Sequence, residues 1–141
     1  MDTQMYKDLF FGPEPTKDTW YIVFIKKRRS QDQFFMCQYV VNTMRIIADE
    51  LQGKVRFAYI NTPKNEILKE IFDAKTLPFQ VLIKDGQAYE QDMMQVLYNN
   101  IYRFIDGEYD GGQYLYDKYP VPRVISEPEL KLKYVYNWIG K

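Results

Sequence analysis

Histidine is absent from this 141-residue chain, and cysteine occurs once, as Cys37. Without histidine the commonest neutral-pH proton shuttle and the commonest metal ligand are missing, so triads built on His are excluded. A single cysteine cannot close an intrachain disulfide, which removes the disulfide-stapled secreted class and fits a reducing compartment. Net charge is lacking too, since 19 Lys and Arg balance 19 Asp and Glu. That balance removes the overall attraction on which nonspecific nucleic-acid binding relies, and no nucleic-acid partner is expected. No apolar run approaches the length of a bilayer span, and Met1-Asp2-Thr3-Gln4-Met5 is neither a secretory signal nor an Arg-rich transit peptide. Membrane association is therefore expected only through partners.

What the chain does have is aromatic area. Thirteen Tyr and nine Phe, in a protein without net charge to keep copies apart, suit life in an assembly. The length allows one compact core and a tail. Trp20-Tyr21-Ile22-Val23-Phe24-Ile25 reads as a strand buried on both faces, halted at Lys26-Lys27-Arg28-Arg29. Phe34, Cys37, Val40, Val41, Met44, Ile47, Ala48 and Leu51 then recur at helical spacing, with Gly53 as the stop. Val55–Ile60 reads as a second strand. Asn61-Thr62-Pro63 turns the chain into a helix carrying Ile67, Leu68, Ile71 and Phe72. Thr76-Leu77-Pro78 leads into the strand Phe79–Ile83, the turn dipeptide Asp85-Gly86 and a return arm at Gln87-Ala88-Tyr89. A last helix is expected from Met93, Met94, Leu97, Tyr98, Ile101, Phe104 and Ile105, ending at Gly107.

The expected order is β-α-β-α-β-β-α. Residues 1–18 read as an N-terminal arm, 19–107 as one α/β domain, and 108–141 as an extended Tyr- and Pro-rich tail. The tail contains Tyr114, Tyr116 and Tyr119 and finishes in a short helix with Leu130, Tyr134, Val135, Trp138 and Ile139 on one side. It is too aromatic for an ordinary solvated tail, so it folds back on its own domain or lies across a partner.

This order, with a proline-preceded strand leading into an Asp-Gly hairpin, resembles the thioredoxin superfamily over roughly Thr19 to Gly107. The likeness is sharpest at Ile47-Ala48-Asp49-Glu50-Leu51-Gln52-Gly53-Lys54, similar to the end of the first core helix of that family. The resemblance implies a mixed central sheet flanked by helices. It also aligns Leu77-Pro78 with the family's cis-proline and Cys37 with its second active-site cysteine. The first cysteine position then falls on Phe34, so Cys-Gly-Pro-Cys is replaced by Phe34-Phe35-Met36-Cys37.

Disulfide exchange needs an attacking thiolate at a helix N-terminus and a second thiol to resolve the mixed disulfide. Phe34 supplies neither, and the strand Trp20–Ile25 contains no carboxylate to move a proton. Phe34, Cys37 and Pro78 are thus expected to mark a degenerate active site, with no catalytic residue, cofactor or metal. Cys37 reads as a small buried hydrophobe, against the alternative of a lone reactive thiol. Lys26, Lys27, Arg28, Arg29, Phe35, Tyr114, Tyr116, Tyr119 and Trp138 are the candidate partner contacts; the basic run is otherwise a solvated loop. The resemblance implies a redox-inactive accessory subunit of a large complex, for which respiratory complex I, and so a mitochondrial location, is the leading specific expectation. The cytoplasm is the other location. The alternative functions are a peptide-binding or chaperone-like module and a residual monothiol redox enzyme.

Overall fold

The computed structural model describes the backbone of residues 1–11, 14, 16–26, 32–74, 76–85, 87–91, 94–110 and 124–125, and within these the side chains other than 3, 7, 11, 32–35, 71, 87, 110, 124 and 125. Nine elements frame it: α1 (Thr3–Phe11), β1 (Thr19–Ile25), α2 (Asp32–Glu50), β2 (Val55–Asn61), α3 (Glu66–Phe72), β3 (Phe79–Lys84), β4 (Gln87–Gln91), α4 (Tyr98–Asp106) and β5 (Val124–Ile125). The strands form one sheet in the order β2-β1-β3-β4-β5. β2 runs parallel to β1, and every other pairing is antiparallel. The sheet is therefore mixed, as expected from a β-α-β crossover followed by a hairpin.

β1 is buried from Trp20 to Ile25 because both faces of the sheet are covered. On one face Phe24 meets Phe72 of α3, which in turn meets Tyr6 of α1, and Phe10 of α1 meets Trp20. On the other face Tyr21 packs edge-on against Phe104 of α4. α2 contacts both α4 and β2 and shares that second face. Its inward residues Cys37, Val40, Val41, Met44 and Ile47 are all buried. Each such aliphatic side chain contributes about 1.5–3 kcal/mol of burial, so the α2 stripe is a main support of the fold.

Two boundaries differ from expectation. The N-terminal arm is a packed helix: the Asp2 carboxylate accepts the Met5 N–H at 2.8 Å, which caps α1, and Tyr6 is 0% exposed with its ring 4.7 Å from Phe10. Helix α4 starts at Tyr98 rather than at the two methionines. Gln80 draws the chain ahead of it inward, donating from Nε2 to the Gln95 carbonyl at 3.3 Å, and Leu97 is extended at ψ 151°. Met94 is left exposed and Met93 lies outside the described residues. The expected stops hold: Gly53 at φ 86° and Gly107 at φ 149° take up conformations that an L side chain disfavours.

The tail begins by packing on the domain. Tyr109 lies 4.7 Å from the Tyr89 ring and beneath the Lys84 ammonium, and Val124–Ile125 pairs with Ala88 and Tyr89 as β5. Fold-back is thus the arrangement at these residues. The short terminal helix expected around Trp138 lies outside the described residues.

Candidate functional site

The C-terminal ends of the parallel strands β1 and β2, the start of α2 and the entry to β3 meet at one end of the sheet. Thr62 ties the two strand ends together: its buried hydroxyl donates to the Ile25 carbonyl at 3.1 Å. The β1–β3 register pairs Phe24 with Phe79, which sets Pro78 against Ile25 at the next position. The Leu77–Pro78 bond is cis and both residues are buried. One residue past Ile25, the Lys26 backbone hydrogen-bonds the Cys37 thiol. Cys37 and Pro78, singled out from the sequence, are therefore brought to the same end, with Lys26 beside the thiol.

Position within α2 decides what Cys37 can do. The helix opens at Asp32, so Cys37 lies in its second turn and is 2% exposed. Burial pushes the Cys37 thiol above the ordinary range, and the Lys26 backbone bond opposes that shift without reversing it. A reactive cysteine has the opposite environment, exposed and electropositive at the first turn. The first turn here carries Phe34, whose backbone belongs to α2 and whose side chain, like that of Phe35, lies outside the described residues. Lys27, Arg28, Arg29, Tyr114, Tyr116, Tyr119 and Trp138 also lie outside them.

Beneath the helices the polar groups are neutral. Tyr21 donates to Gln80 Oε1 at 2.6 Å, and Gln80, fully buried, passes the network on to the Gln95 carbonyl. A satisfied network of uncharged groups rigidifies a core and offers no titrating acid. Among the described residues there is no cluster of three or more acidic or cysteine side chains able to hold a metal ion.

The chloroplastic thioredoxin z crystal structure matches this architecture with a TM-score of 0.60 at 17% identity, over 79% of this chain and 93% of that one. The fold is thioredoxin-like. Two further solved structures are similar: the germline-specific thioredoxin Deadhead of Drosophila melanogaster (TM-score 0.54, 13% identity, 64% of this chain and 80% of that one) and a malarial protein (0.53, 19%, 63% and 94%). No family model and no curated protein matches the sequence. In this structure Cys37 lies in the second turn of α2, and the cis bond Leu77–Pro78 immediately precedes β3.

Sequence reasoning missed a second region. The hydroxyl of Tyr98 donates to Glu50 across the α2–α4 interface, and Tyr98 stacks on Tyr102 at 5.9 Å. The hydrogen bond to Glu50 is the main reason the Tyr98 phenol is raised above its usual value. Ile46 and Tyr39 are exposed on the same helix. Their departure from the core stripe of α2 is visible in the helical spacing. The Glu50 contact needs the tertiary structure, because 48 residues separate the pair.

Proposed function

We propose that this chain is a non-catalytic, thioredoxin-like subunit of a stable multiprotein assembly, using the fold as a rigid block. The observation that carries this reading is the state of its only thiol, 2% exposed in the second turn of α2 with its pKa raised. A thiol so placed is a poor nucleophile, and Phe34 stands where a partner thiol would act. The zero net charge and the aromatic content support a protein held among others. In its most specific form the proposal is an accessory subunit of mitochondrial respiratory complex I, on the matrix side.

Native purification of the tagged full chain, followed by mass spectrometry of what co-elutes, tests this. A defined set of partners at fixed stoichiometry is the expected result, with respiratory-chain subunits among them for the specific form. A monomer-sized species without partners overturns the proposal. Micromolar, transient binding of unfolded peptides by such a monomer would point instead to a chaperone-like module.

A further inference from the structure

β2 is the last strand of the sheet on its side, and among the described residues no strand pairs with its outer edge. The Met1 ammonium donates to the Tyr59 carbonyl at 2.9 Å, which shows that Tyr59 turns its carbonyl outward. Backbone groups in a parallel strand alternate sides, so Val55 and Phe57 also turn outward while Arg56, Ala58 and Ile60 bond β1. The Val55 N–H is used by the Leu51 carbonyl at 3.1 Å. Among the described residues, no hydrogen bond reaches the Val55 carbonyl or either backbone group of Phe57 from outside the sheet.

A groove follows this edge. One part, about 220 Å³, is lined by Val41, Met44, Arg45, Ala48, Phe57 and Tyr59. A neighbouring cavity of about 430 Å³ shares Ala48 and Phe57 in its lining and adds Asp18, Trp20, Gln52, Lys54 and Arg56. The first cavity is apolar apart from Arg45, the second is mixed, and of the charged side chains lining the two, Arg45, Lys54 and Arg56 outnumber Asp18. Arg56 is neutralised by Asp18 at 3.4 Å and stacks over Trp20. Arg45 and Lys54 are exposed and have no ion-pair partner among the described residues; Asp49, one turn beyond Arg45, makes none with it.

We infer that this groove docks an extended, acidic segment of a partner protein, which adds to β2 as a further strand. Open backbone groups supply the ladder, alternate apolar side chains enter between α2 and β2, and intervening carboxylates meet Arg45 and Lys54. A second copy of the chain fits less well, because it brings the same excess of cationic side chains to face itself. The inference rests on the reading of the chain as a protein-binding subunit and names the surface and the chemistry of one partner.

The test is a titration of the ¹⁵N-labelled full chain with a short synthetic peptide of alternating Glu and Val, against the same peptide with Lys in place of Glu. Expected are shifts at Val41, Arg45, Phe57 and Ala58, and slowed exchange of the Phe57 amide, with the acidic peptide alone. Arg45→Glu with Lys54→Glu should weaken the acidic peptide about tenfold or more and bring in the lysine peptide. Arg45→Gln with Lys54→Gln, milder for folding, should weaken the acidic peptide without that exchange of preference. No response at this edge up to about 1 mM, an equal response to both peptides, or a dimer that buries the edge without peptide overturns the inference. Absence of co-purified partners would sink the assembly proposal alone, since the titration reads the groove directly.

Discussion

Alkylation of Cys37 in the folded chain measures whether any thiol chemistry survives. At 2% exposure the sulfur reacts only when the start of α2 lifts from the sheet, and lifting it uncovers Val40 and Val41, both buried. At about 1.5–3 kcal/mol for each apolar side chain, that opening costs roughly 4 kcal/mol. With ~1.4 kcal/mol per factor of ten, iodoacetamide should label native protein about 10³-fold more slowly than protein in concentrated urea. Mass spectrometry of timed aliquots gives both rates. Labelling within about tenfold of the denatured rate would refute both the burial argument and the non-catalytic reading. The raised pKa adds a pH signature with a definite sign. The unfolded thiol ionises near 8.5, before the folded one, so the stability this thiol contributes is complete below that pH and is lost as pH rises through the folded value. Urea midpoints of wild type and Cys37→Ala should converge between about pH 7 and pH 10. Midpoints that diverge with rising pH would give the shift the wrong sign.

Tyr6→Ala should cost about 3–5 kcal/mol in urea unfolding, since the ring is fully buried against Phe10 and Phe72; a loss under about 1 kcal/mol would return residues 1–11 to the status of an arm. Gly53→Ala should destabilise by about 1 kcal/mol through its φ of 86°, because no atom lies within 4 Å of an added methyl; a neutral result would mean that the turn relaxes. Glu50→Gln should bring the Tyr98 phenol back down towards its ordinary titration, followed by NMR; an unchanged titration would show that Glu50 does not hold it up.

β1 was legible because burial on both faces writes an unbroken apolar run, and β3 because only Gln80 interrupts one; each extends one residue beyond the expected span. The α2 stripe was legible from its period. Helix α1 was missed although its signals are present: Asp2 as cap and Tyr6 with Phe10 one turn apart. A short segment before the first strand does not show, from periodicity alone, that it packs. The late start of α4 was not readable, because apolar residues from Met93 onward fit a helix, and only Gln80, fifteen residues away, fixes the Gln95 carbonyl elsewhere. The β2 groove was hidden for a related reason. Phe57 and Tyr59 read as part of the second strand, and whether another strand covers their edge is a question of topology rather than composition.

β5 is two residues long, yet where it sits governs what the sheet can become. It occupies the outer side of β4 at Ala88 and Tyr89, while the opposite border, β2, carries no strand among the described residues. Fibre growth from stacked edges requires every copy to offer two open borders, one to receive and one to give. By laying two of its own residues against Ala88 and Tyr89, the chain engages part of the β4 border that another strand could otherwise pair with, so the tail limits edge-to-edge contact on that side of the sheet.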